Sequence, residues 1–221
     1  MILFKRLSIV FVLLLGTFCP SFLCAQSDYT LFDDKALLDG YAQKYAEETK
    51  EILLEIIKDD TLTPYMTAAA VRVFKDKYAK DVFPKEKSGT ERILLLCLQR
   101  SDSSFVKAEI MHTLCILDRF KYFNSLVPDL IQLLNHYNTT VNEMAFQSLQ
   151  DLFASKHNRP REARIVFNTL RKMFFLSRKR LQNVKTPSPR LKQKLEILRW
   201  SIKILGTQEL KKLPPEVINL L

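Results

Sequence analysis

The chain has 221 residues, 47% of them hydrophobic and 26% charged, with a formal net charge of +10. It holds only 4 Gly, 9 Pro and 4 Cys, which excludes a collagen-like chain, a disordered low-complexity chain and a disulfide-dense mini-protein. The length suits one domain, or one compact repeat array, with a core of useful size.

The first segment reads as a secretory signal. Lys5 and Arg6 give a basic start, Leu7–Leu15 is dominated by Leu, Val and Ile, and Gly16 and Pro20 break the run. Ala25 and Ser27 are the small residues that cleavage after Ser27 needs; cleavage after Ala25 is the rival and leaves the larger Leu23 at −3. A lipoprotein site at Cys24 wants a small residue where Leu23 stands. The competing reading is an uncleaved anchor, because Leu7–Ala25 approaches the ~20 residues that one spanning helix needs. The broken tail favours cleavage. The expectation is a signal over 1–27 and an exported chain, periplasmic or secreted, tethered to a membrane if the segment is retained.

Export leaves Cys97 and Cys115 in the mature chain. An oxidising compartment permits a bridge between them. On consecutive antiparallel helices their registers differ by about 12 Å at 1.5 Å per residue, too far for a disulfide, so two buried thiols are expected. Asn138-Thr139-Thr140 is a formal glycosylation sequon, meaningful only in a eukaryotic secretory pathway.

From residue 28 onward nearly every segment carries helical periodicity. Leu38, Tyr41, Ala42, Tyr45, Leu53, Ile56 and Ile57 behind Asp33-Asp34 predict one long capping helix within 28–60, stopped by Asp59-Asp60-Thr61. Pro64 suits the start of a second helix. Further helices are predicted at about 88–99, 104–118, 124–136, 139–153, 160–181, 188–206 and 214–220. No alternating run argues for a strand, so the fold class is all-α. Three helices share an apolar triplet at spacing four: Met66/Ala70/Phe74, Val106/Ile110/Leu114 and Val141/Ala145/Leu149. Leu191/Leu195/Leu198 continues it more loosely. A two-helix unit cannot bury both its faces alone, and stacking such units gives an α-solenoid over 61–206, with 207–221 as a short helix and tail.

Leu126-Val127-Pro128-Asp129-Leu130-Ile131-Gln132-Leu133-Leu134-Asn135 resembles the second helix of a HEAT repeat. Val141-Asn142-Glu143-Met144-Ala145-Phe146-Gln147-Ser148-Leu149 resembles the first helix of the next, and Phe105–Glu109 and Ala70–Arg72 are weaker echoes. The likeness covers about 61–181, with 186–206 as a last unit. His136 and Asn142 depart from it, standing where the family usually places an Asp and an Arg. The resemblance implies a right-handed α-α superhelix of armadillo type, acting as a scaffold that binds macromolecules along an extended surface.

The charge is unevenly placed. Residues 26–155 are net −5, whereas 156–212 are net +14. On the predicted 160–181 helix, Arg164, Arg171 and Arg178 recur every seven residues, and Arg161, Lys172 and Lys179 widen the stripe. Val166, Leu170, Met173, Phe174 and Leu181 fall on the opposite side, with Phe167 and Phe175 bordering the cations. A row of guanidinium groups suits carboxylate, phosphate or sulfate through forked hydrogen bonds. The readings are an acidic protein partner, an anionic membrane or envelope polymer, or simply a solvated face. Nucleic acid fits the charge but is disfavoured for an exported chain.

Motifs for chemistry are lacking. No Gly-rich phosphate loop, Gly-x-Ser-x-Gly elbow or His-Glu-x-x-His pair occurs, and nothing points to a small-molecule substrate or a cofactor. The histidines are His112, His136 and His157; His112 and Cys115 share a helix face with Cys97 nearby, but no fourth zinc ligand follows from spacing, so they read as core residues. Asp33-Asp34 and Asp59-Asp60 read as helix-end residues, Thr186-Pro187-Ser188-Pro189 as the turn opening the last long helix, and Trp200 as packing against a neighbouring unit. The expectation is a non-enzymatic adaptor.

Overall fold

The computed structural model describes residues 34–154 and 159–221. The expected signal over 1–27, the first residues of the 28–60 cap and His157 lie outside the described residues. Among the described residues there is no strand, and no helix is long and apolar enough to cross a membrane.

The helices are α1 (Asp34–Lys44), α2 (Lys50–Lys58), α3 (Pro64–Lys77), α4 (Pro84–Arg100), α5 (Ser104–Leu117) and α6 (Arg119–Gln132). A 3₁₀ turn, Leu133–Asn135, extends α6. Then come α7 (Thr139–Phe153), α8 (Pro160–Leu181), α9 (Pro189–Leu205), a 3₁₀ turn at Thr207–Lys212, and the short α10 (Pro215–Ile218). Local chemistry sets the starts. Proline, whose missing N–H costs nothing there, opens α3, α4, α8 and α9. Thr63, Asp118, Asn138 and Ser188 cap α3, α6, α7 and α9 by accepting free backbone N–H groups.

Two expectations need correction. The long first helix is broken into α1 and α2, because Thr49 adopts an extended conformation and its hydroxyl accepts from Ile52 N. The Tyr78 hydroxyl donates to the freed Glu48 carbonyl at 3.0 Å, and Lys77 does the same for Ala46. The helix predicted from about 124 starts at Arg119, where the Asp118 carboxylate accepts from Lys121 N at 3.0 Å. Pro128 is carried inside that helix.

Packing follows an alternating order. Helices α1, α3, α5, α7 and α9 touch in series, while α2 lies on α4 and α6 on α8. The apolar triplets of the sequence fall on α3, α5 and α7; all their members are buried except Met66, which packs against the core. Leu195 and Leu198 continue the row on α9. Phe153 of α7 stacks on Trp200 of α9 at 3.8 Å between ring centroids. The arrangement is all-helical, each helix packed on its neighbours, and is compatible with a helical-repeat fold.

Buried carboxylates recur at the joints between these helices. Glu109 of α5 receives Arg72 Nε at 2.7 Å and Lys75 Nζ at 3.0 Å, both from α3, and Arg72 also reaches Asp39 of α1 at 2.8 Å. Glu91 of α4 is held by Lys121 and by the Tyr122 hydroxyl of α6. Glu162 of α8 receives Arg119 of α6 at 2.8 Å. Glu209 of the second 3₁₀ turn receives Arg164 of α8 at 2.6 Å. These four are the buried carboxylates among the described residues, and each takes a cation from a neighbouring element.

The two departures from the HEAT pattern have local work. Asn142, wholly buried, donates to the Leu134 carbonyl at 2.7 Å, and His136 Nδ1 accepts from Asn138 N at 3.1 Å. Together they close the α6–α7 turn. Asn138 itself is occupied, its Oδ1 accepting from Thr140 and Val141 and its Nδ2 donating to Asp34 of α1 at 2.5 Å. The sequon asparagine is thus a helix cap.

Glu109→Ala leaves two cations without a buried partner and should destabilise the protein by about 3–5 kcal/mol. Lys58→Ala, which removes an exposed pair with Glu55, should change stability by less than about 0.5 kcal/mol. Urea denaturation followed by circular dichroism measures both.

Candidate functional site: the basic face of α8

Helix α8 buries Ala163, Val166, Phe167, Leu170, Met173, Phe174 and Leu181 on one side. Phe167 is fully buried, so it belongs to the core and does not border the cations as the sequence suggested. Phe175 does border them and is 45% exposed.

The expected stripe divides into two chemistries. Arg164 is committed internally, its Nη1 lying 2.6 Å from the buried Glu209 carboxylate, which Lys212 also reaches at 3.0 Å. Hydrogen bonds from Arg164 first, then Lys212, hold the Glu209 carboxyl below its usual range. Arg161 is exposed on the first turn of α8, away from the clefts below. Arg171, Lys172, Arg178 and Lys179 have no acidic partner among the described residues, as the recorded ion pairs account for none of them.

Those four line two adjoining clefts between α8 and the C-terminal segment. One, of about 730 Å³, is bounded by Asn168, Arg171, Lys172, Phe175, Lys211, Lys212 and Leu213. The other, about 260 Å³, is bounded by Phe175, Arg178, Lys179, Gln182, Pro214, Pro215 and Glu216. Phe175 belongs to both, which makes them one groove. Sequence reasoning missed the opposite wall. In the sequence Lys211-Lys212-Leu213-Pro214-Pro215 reads as part of a short helix and tail, and no local signal sets it against α8.

A larger cleft on the far side of α8, about 760 Å³, is lined by Leu176, Arg180, Arg190, Lys194 and others. Its cations are largely spent on the fold: Arg190 donates to the Tyr137 carbonyl at 2.8 Å, and Lys194 to Asn135 Oδ1. Burial, then Arg190, pulls the Lys194 ammonium below its usual range. The α8–tail groove is the richer in unspent positive charge.

The cysteines and His112 are core groups. Cys97 and Cys115 are free and buried, and burial pushes the Cys115 thiol up to about 12. Among the described residues no three His, Cys, Asp or Glu side chains converge as metal ligands. His112 is 1% exposed, neither ring nitrogen has a hydrogen-bond partner, and Asp151 Oδ2 lies 3.9 Å from Nε2. Burial first, and then Lys75, push its imidazolium down to about 3.

No protein family, curated protein or solved structure matches the chain.

Two predictions separate structural from surface groups. Arg164→Ala should cost about 1–3 kcal/mol by stripping a buried carboxylate of a donor, while Arg171→Ala and Arg178→Ala stay within about 0.5 kcal/mol; chemical denaturation measures the difference. His112 is lowered in the fold relative to its ordinary 6.5, so its contribution is complete above pH 6.5 and is lost as the pH falls towards 3. Between pH 6.5 and 5.5, above the main carboxylate range, stability should fall by about 1 kcal/mol from this group. Denaturation midpoints across that range should lose this slope in His112→Gln.

Proposed function

We propose that the protein is a non-enzymatic scaffold that binds an acidic protein partner through the basic face of α8. In this reading its helices are HEAT-like repeats wound as a right-handed superhelix, and a signal over residues 1–27 exports the chain to the periplasm or an equivalent space. The observation that carries the proposal is the set of unpaired cations, Arg171, Lys172, Arg178 and Lys179, beside a half-exposed Phe175. The four buried carboxylates among the described residues are matched by cations of a neighbouring element, whereas these cations face outward. Arginine beside an accessible aromatic ring is the composition that protein interfaces favour.

A second reading, binding to an anionic membrane surface or envelope polymer, draws support from Phe175 and from Leu176, which is 81% exposed. Apolar side chains flanked by cations are also what an interfacial helix presents.

The test is affinity capture from the native host with the wild-type protein and with Arg171→Glu/Arg178→Glu, alongside co-sedimentation with vesicles rich in phosphatidylglycerol. An acidic protein retained by the wild type and lost by the variant, at unchanged thermal midpoint, is the expected result. Equal capture by both proteins, or vesicle binding in its place, overturns the proposal.

A further inference from the structure

We infer that the groove between α8 and residues 211–216 receives one extended acidic peptide segment of a partner protein, with an apolar residue two positions from a carboxylate on each side. The inference rests on the reading of the basic face given above and specifies what that face recognises.

The spacing on α8 carries the argument. Phe175 stands at the centre, with Arg171 and Lys172 four and three residues before it and Arg178 and Lys179 three and four residues after. Positions three and four apart share a helix face. The cations therefore sit about one turn, roughly 4.5–6 Å along the axis, to either side of the ring. Alternate residues of an extended chain share a face and lie about 6.6 Å apart. An acidic–x–apolar–x–acidic segment thus places its carboxylates over the two cation pairs when its apolar side chain rests on Phe175. In a helical ligand the two carboxylates, four residues apart, would share a face, but the apolar residue between them would point to the opposite side and miss Phe175.

The opposite wall agrees with this register. Lys211 adds a cation without an acidic partner at the Arg171–Lys172 end, where the largely buried Leu213 also lines the cleft, and Pro214 and Pro215 line the Arg178–Lys179 end. An apolar ligand side chain would lie between Phe175 and these residues. The two prolines have no N–H to donate, and their carbonyls already accept from Val217, Ile218 and Asn219, so they offer a strand no backbone pairing. Recognition falls on side chains, and hence on sequence. Glu216, which accepts from Gln182 at 3.5 Å, closes the Arg178–Lys179 end and leaves the other end the more positive. The Arg164–Glu209 pair fastens the wall to α8 without occupying the groove.

The experiment is fluorescence anisotropy on the purified protein with three fluorescein-labelled peptides. The first carries Glu-Ser-Phe-Ser-Glu within a Gly-Ser context. The second has the same composition with its two acids adjacent and the Phe displaced, and the third replaces Phe by Ser. The expected result is at least tenfold tighter binding of the first peptide than of either control. Binding should be lost in Lys172→Glu/Lys179→Glu, and discrimination between Phe and Ser peptides should be lost in Phe175→Ser, both at unchanged thermal midpoint. Equal affinity for the first two peptides overturns the groove while leaving a charge-reading basic face intact. No binding to any acidic peptide, with wild-type protein still bound to anionic vesicles, overturns the groove and the acidic-partner reading together.

Discussion

The fold hangs on a carboxylate that has nowhere to go but its neighbour. Glu91, Glu109, Glu162 and Glu209 are each withdrawn from water at a joint between elements, and each is neutralised by cations from the element alongside. A buried ion pair gains little over a well-packed apolar pair, but removing one partner is severe. The pairs therefore specify which helix lies against which more than they add stability. Apolar triplets alone would let α3 and α5 slide along one another by a turn. A carboxylate that must meet Arg72 and Lys75 admits one register.

Much of this architecture could be read from the chain. The helices at 139–153 and 160–181 follow directly from Asn138 and Pro160 at their starts and from apolar spacing behind them. The triplets marked out the series of touching helices, because burial on two sides forces a repeated pattern. What escaped was decided by single polar contacts. Thr49 ends the apparent long first helix although Leu53 and Ile57 keep the same periodicity as Leu38 and Tyr45. Periodicity reports which face is apolar, and one capping hydroxyl decides whether the backbone stays continuous.

The site was legible in part for a similar reason. A heptad of arginines on a helix marks a stripe, and three of them do share the outer side of α8. Sequence could not reveal that Glu209, 45 positions beyond Arg164, folds back to claim the first. Nor could it show that residues 211–215 stand opposite the remaining ones. Long-range closure by the C-terminal segment is set by tertiary packing, and it converts a uniform stripe into one structural arginine and a groove. Phe167 illustrates the same limit: one residue's rotation around the helix carries it from the border into the core.

The Asp34 carboxylate accepts from the Tyr65 hydroxyl at 2.5 Å and from Asn138, 104 positions away. That single side chain turns the run from α1 to α7 into a tied loop, whereas α8, α9 and the last segment have no such tether back to the start among the described contacts. Loop closure cuts the chain's freedom most where the enclosed stretch is long. Residues 34–221 still form one compact unit, because Arg190 and Lys194 of α9 bond back to Tyr137 and Asn135, beside the asparagine that closes the loop. The α8 wall of the groove is fixed to that loop in turn, through the Arg119–Glu162 pair at the first turn of α8.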